Sequence, residues 1–168
     1  KEFQIATADR IETIFRGGRQ KRVLLADEVG LGKTIIAREV IDRVRQIRSE
    51  VKDDMYRVVY VCSNINIVHQ NTKNLDMKKR LDISESRLSM QHLVIQEQVA
   101  ELKASGHYRE DGNYDVGMMP ELLIPLTPGT SFAIQQGCGN KNERALMFCM
   151  ISKLEKFKYY NDSLYEFF

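Results

Sequence analysis

Arg22-Val23-Leu24-Leu25-Ala26-Asp27-Glu28-Val29-Gly30-Leu31-Gly32-Lys33-Thr34 is the stretch on which the fold turns. An apolar run leads directly into a Gly-x-Gly-Lys-Thr loop. Ile35, Ile36, Val40, Ile41, Val44 and Ile47 then recur at helical spacing, with Arg38, Glu39, Asp42, Arg45 and Arg48 mostly on the opposite face. The pattern predicts strand, phosphate loop and amphipathic helix in that order, with Val23, Leu24 and Leu25 in a central parallel strand covered on both faces. In such a turn, successive backbone N–H groups point at one anion and the positive end of the helix adds to their field. Lys33 is the candidate cation for terminal phosphates, and Thr34 is the candidate hydroxyl ligand of Mg²⁺. These two are the predicted catalytic residues, and Glu28, Val29, Gly30, Leu31 and Gly32 complete the predicted cradle. The match is not strict, because Asp27 stands where the general pattern has its first Gly.

Leu-Ala-Asp-Glu-Val-Gly-Leu-Gly-Lys-Thr, residues 25–34, resembles the first nucleotide-binding motif of the SNF-type branch of the superfamily 2 helicases. It is especially similar to that of the bacterial RNA polymerase-associated, helicase-like ATPases. The resemblance accounts for Asp-Glu in place of the first Gly. It implies the N-terminal RecA-like lobe of an ATP-dependent DNA translocase, with ATP and Mg²⁺ as cofactors. It also implies that Gln4, in Phe3-Gln4-Ile5-Ala6 ahead of a helix from Ala8 to Arg16, reads the adenine ring. A Gln amide offers both a donor and an acceptor to a purine edge.

Downstream, strand and helix patterns continue to alternate. Tyr56–Cys62 reads as a second buried strand, and Ser63-Asn64 as the start of a helix to about Lys78. By the resemblance, Ser63 and Asn64 contact a nucleic-acid backbone; by local chemistry alone, they cap a helix. Lys78-Lys79-Arg80 reads as a solvated helix end, and a helix with Leu88, His92, Ile95, Val99 and Leu102 on one face stops near Gly106. Residues 103–120 include a predicted surface insertion. Residues 121–126 read as a third strand, placed near an edge or made irregular by Pro125. Thr127-Pro128-Gly129-Thr130-Ser131 resembles the Thr-Pro-Gly backbone-gripping motif of superfamily 2 helicases, which makes Thr127, Gly129 and Thr130 candidate nucleic-acid contacts. It reads equally as a subfamily-specific loop. Asn140 and Glu143 have capping-box spacing at the head of a last helix, with Phe148 and Met150 as core candidates, and an aromatic tail follows.

These signals predict an α/β P-loop NTPase fold: residues 1–168 form one partial RecA-like lobe, a mostly parallel sheet flanked by helices and incomplete at its C-terminus. The formal net charge of +2 does not by itself argue for nucleic acid. Three cysteines and three histidines fall at no metal-ligand spacing, and no run is long enough to span a membrane, so a reducing, cytoplasmic setting is expected. An ATPase of this class also needs an acidic box whose Asp helps hold Mg²⁺ and whose Glu activates water. None is found: Asp27-Glu28 lies in the loop, Asp53-Asp54 precedes a strand, and Glu110-Asp111 lies in a polar stretch. The fragment is therefore expected to bind nucleotide weakly and to turn it over near background. The rest of its own polypeptide is expected to supply the box and the second lobe. The alternatives are a complete small P-loop NTPase of another family and a nucleotide-responsive interaction module.

Overall fold

The computed structural model describes residues 2–26, 28, 30–51, 55–77, 87–108, 118–131 and 140–167. In chain order the elements are α1 (Glu2–Arg16), α2 (Lys33–Glu50), β1 (Tyr56–Val61), α3 (Ile65–Thr72), α4 (Arg87–Ala104), β2 (Glu121–Leu126), α5 (Pro128–Ser131) and α6 (Lys141–Ile151), then a 3₁₀ helix (Glu155–Tyr160) and α7 (Asn161–Phe167).

β1 and β2 pair in parallel, Tyr56 opposite Glu121 through Val61 opposite Leu126. Tyr56 N donates to Pro120 O (2.8 Å) and Cys62 N to Leu126 O (3.0 Å), so the even-numbered peptide groups of β2 face β1. The N–H that Pro125 lacks therefore falls on the outer edge, where no bond to β1 is lost. On that same edge Glu121 N donates to Gln98 Oε1 (3.1 Å), and Gln98 Nε2 returns a bond to Glu121 O (3.0 Å).

The register also sorts the faces. Leu122 and Ile124 pack on Ile95 of α4, and Arg57, opposite Leu122, donates to Gln91 on the same helix (2.9 Å). Glu121 and its partner Tyr56 face α2 instead: Tyr56 OH donates to Ile41 O (2.8 Å), and Arg45 Nε meets Glu121 Oε2 at 2.7 Å. The sheet thus lies between α2 and α4, and β2 is buried on both faces, as a strand in a three-layer α/β arrangement requires. The buried Glu121 carboxylate is balanced by Arg45, which also bonds Asp42 and lies 5.7 Å from the Tyr56 ring centroid. Burial pushes the Tyr56 phenol up to about 12.

α1 and α2 run side by side in the same direction. Arg16 grips Glu50 through two bonds (2.8 and 3.0 Å) and Arg43 grips Asp9 (2.6 Å), both pairs spanning 34 residues, while Ala8, Ile11 and Ile36 fill the seam. The Arg16 guanidinium holds the Glu50 carboxyl below its usual range. α1 stops at Gly17-Gly18, where Gly18 takes φ 68° and donates to Phe15 O (3.1 Å).

Several expectations require correction. Residues 21–26 form no strand. Val23 and Leu25 line a cleft of about 480 Å³ with Ile11, Phe15, Ile36, Ala37 and Val40, while Leu24 between them is 88% exposed. The side chains alternate as in a strand, but the described sheet contains only β1 and β2, so the segment has no ladder partner and its outer face is bare. α1 begins at Glu2 rather than Ala8, and α3 ends at Thr72 rather than about Lys78. His92 is exposed instead of lying on the inward face of α4. Met150 is 60% exposed because α6 packs on α4 by one side only, whereas Phe148 is half-buried with its ring edge-on to Tyr165 (5.7 Å, 72°). Half of the predicted insertion, 109–117, falls outside the described residues: α4 runs through Ala104, its end is closed by His107 N donating to Leu102 O (2.9 Å), and the chain is described again from Met118. No helix of the described residues is long and apolar enough to cross a membrane.

Candidate nucleotide site

The loop before α2 is built on two glycines in the left-handed region, Gly30 (φ 92°) and Gly32 (φ 80°). Gly32 is the N-cap of α2, so no side chain occupies the positive end of the helix, and its first turn contains no acidic residue. Gly suits this position by its positive φ, and a Cβ at Gly32 would also lie 3.2 Å from Gln4 Nε2, which would have to give way.

Gln4 reaches this point because α1 and α2 are parallel: the first turn of α1 stands beside the first turn of α2. Its Nε2 donates to Leu31 O (3.3 Å), while its Oε1 is buried and accepts no hydrogen bond from the described residues. A buried acceptor without a donor is costly, so a turn of the Gln4 side chain that offered Oε1 to a donor such as the exocyclic amino group of a purine would relieve that cost. Lys33 Nζ folds back onto Glu28 O (2.7 Å), which brings its ammonium to the backbone five residues earlier. Thr34 is half-buried beside it; Glu28, Gly30 and Leu31 are exposed, and Val29 lies outside the described residues. Gln4, Leu31, Gly32 and Lys33 are thus gathered at one place, with a cation, two flexible turn positions and an unfilled acceptor.

The residues fit a nucleoside triphosphate in kind. A phosphate chain requires backbone N–H groups free of a side-chain cap, which the start of α2 at Gly32 supplies, and a cation, which Lys33 supplies with its Nζ on Glu28 O (2.7 Å). For a metal the donor set is thin. Thr34 offers one hydroxyl, and the described residues hold no cluster of His, Cys, Asp or Glu able to bind an ion.

The residues proposed for nucleic acid lie where the two strands end. Because β1 and β2 are parallel and in register to Val61 and Leu126, the turns after them emerge together at the C-terminal edge of the sheet. This brings Ser63 and Asn64 alongside Thr127 and Gly129. Asn64 Oδ1 caps α3, accepting from Asn66 N (2.9 Å) and Ile67 N (3.4 Å), as its local chemistry anticipates. Ser63 is exposed; Thr127 is 1% exposed and stands behind the turn, Gly129 is on the surface, and the Thr130 side chain lies outside the described residues. Sequence reasoning missed Arg45 and Glu121, which fix α2 to β2. The Asp42/Arg45 spacing was visible, but nothing local reveals a partner 76 residues away.

Across residues 1–168 the chain matches the family model described as Type III restriction enzyme, res subunit, a superfamily 2 helicase-like family whose N-terminal domain is a P-loop helicase lobe. Domains of this kind generally use ATP and Mg²⁺ and commonly bind DNA. No curated protein and no solved structure matches the chain.

Proposed function

We propose, because the chain belongs to the type III restriction enzyme res-subunit family, that it is the ATP-binding part of an ATP-dependent DNA helicase or translocase, of the SNF-like type within the superfamily. In this reading residues 1–168 form a partial first RecA-like lobe. Lys33 holds the terminal phosphates, the amides at the start of α2 complete the anion contact, and the Thr34 hydroxyl takes Mg²⁺. Gln4 holds the adenine, its open Oε1 accepting from the exocyclic amine. The turns after β1 and β2 face the nucleic-acid backbone with Ser63, Asn64, Gly129 and Thr130, and the buried Thr127 supports the second turn from behind.

The observation that carries the reading is the amide of Gln4 set against a glycine-capped helix start, with one acceptor unfilled. Bound ATP supplies the phosphoanhydride whose hydrolysis drives lobe movement. No acidic box occurs in the 168 residues, so positioning is present without a carboxylate to activate water, and turnover by this chain is expected near background. The test is titration of a fluorescent ATP analogue with Mg²⁺ into wild type and Lys33→Ala. Saturable binding that weakens at least about tenfold in the variant is expected, on the scale of one charge-assisted contact. Equal binding by both, or steady turnover by the wild-type chain, would overturn the assignment.

A further inference from the structure

The 3₁₀ helix Glu155–Tyr160 and the turn before it expose two adjacent phenol rings and three ammonium groups. Tyr159 is 89% and Tyr160 61% exposed, and Lys153, Lys156 and Lys158 are all exposed. In a 3₁₀ helix, side chains three apart eclipse one another, so Lys156 stands in the row of Tyr159, and Phe157 in the row of Tyr160. Phe157 is half-buried and anchors the segment, which holds Tyr160 at the boundary and turns the Lys156/Tyr159 row outward.

We propose that this face binds single-stranded nucleic acid, with bases stacking on Tyr159 and Tyr160 and phosphates held by Lys153, Lys156 and Lys158. An exposed aromatic ring with a cation one turn away satisfies both halves of an unpaired strand, the π-face of the base and the charge of the backbone. Residues 153–160 carry three lysines against one acid, Glu155, an excess hidden in the small net charge of the whole chain. Glu155 approaches Lys158 only at 3.9 Å with both side chains exposed, so the pair yields readily to a phosphate. Tyr165, although 75% exposed, lies outside the platform: its ring packs edge-on against Phe148, and Asp162 and Glu166 flank it. The inference shares a class of partner with the proposed function but uses none of its residues.

The chain contains seven tyrosines and no tryptophan, so tyrosine emission reports stacking in the wild type, while the anisotropy of an end-labelled strand reports binding in every variant. An oligothymidylate and an oligouridylate are titrated into the full chain, with a DNA duplex as competitor. Quenching by a single strand of either sugar is expected, and it should resist the duplex. Tyr159→Ala/Tyr160→Ala should weaken binding about tenfold or more, and Tyr159→Phe/Tyr160→Phe should restore it. The slope of log K against log salt should be about −2 for three phosphates and fall to about −0.7 in Lys156→Gln/Lys158→Gln. Unchanged affinity in the alanine variant, an unchanged salt slope, or preference for the duplex would each overturn the proposal. Lys33→Ala should leave this binding intact. Loss of tyrosine dependence with ATP binding still dependent on Lys33 would sink this inference and leave the nucleotide reading standing.

Discussion

Gly32→Ala tests the loop at its tightest point. The residue sits at φ 80°, where an L side chain costs about 1–2 kcal/mol relative to glycine. The new Cβ would also lie 3.2 Å from Gln4 Nε2, closer than most such contacts. Because that nitrogen ends a flexible side chain, it would move aside and give up its 3.3 Å bond to Leu31 O, a further loss of about 0.5–1 kcal/mol. The sum is about 2 kcal/mol, which for a chain of this length lowers Tm by about 4–8 °C in thermal melts followed by circular dichroism. The two contributions separate in a double-mutant cycle. In a Gln4→Ala background the second loss is already taken, so Gly32→Ala should cost only the backbone part, about 1–2 kcal/mol. Ligand selectivity should follow the same division: Gln4→Ala should weaken ATP about tenfold through the lost purine contact while leaving tripolyphosphate binding unchanged. Gly32→Ala with unaltered Tm would refute the reasoning. So would a cycle without coupling, or an equal loss of ATP and tripolyphosphate in Gln4→Ala.

Two further outcomes follow from the pair that joins α2 to β2. Arg45→Met should cost about 3–5 kcal/mol in urea unfolding, because it breaks a buried ion pair by removing the guanidinium 2.7 Å from the Glu121 carboxylate; adding Glu121→Gln should recover part of that loss, and a mild single-variant effect would show the pair to be dispensable. Tyr56 is held neutral to about pH 12, so its contribution is complete below the ordinary phenol range and is lost as pH rises from 10 to 12. Wild type should therefore lose about 2 kcal/mol more than Tyr56→Phe over that interval, read as the difference between their unfolding curves, and parallel curves would remove Tyr56 as the cause.

What the sequence revealed was local, and what it concealed was pairing. Lys33-Thr34 opening a helix, Asn64 and Asn140 as caps, and the strands at 56 and 121 are readable because periodicity and capping chemistry operate within a few residues. The run Arg22–Ala26 has the composition of a buried strand, yet a strand exists only with a ladder beside it, and no pattern within those residues says whether a neighbour is present. The depth of Thr127 was hidden for a similar reason: three hydroxyls near one Gly suggest a surface, but the register of β2 carries Thr127 inward behind α5. Gln4 was singled out only through the resemblance. Its place beside Gly32 depends on α1 and α2 running parallel, packed through Ala8, Ile11 and Ile36 and bridged by Arg16–Glu50 and Arg43–Asp9 across a 34-residue offset.

With residues 21–26 unladdered, the frame of the phosphate loop is α2 itself. The loop ends in the first turn of that helix, Arg43 and its neighbours tie the helix to α1, and Arg45, about 200° round the helix from Arg43, ties it to β2 on the other side. α1 delivers Gln4 to the loop, and β2 leads to Thr127 and Gly129, so one helix sets the position of the nucleotide residues relative to the turns assigned to nucleic acid. Among the described residues, movement at Gly30 and Gly32 reaches β2 through the body of α2, and the Arg45–Glu121 contact, which Gln98 fastens from the opposite layer, is a direct route. A chain with Arg45 removed should keep the local chemistry of Lys33 and Gln4 yet lose the fixed spacing between loop and sheet. That separates holding a nucleotide from conveying its presence.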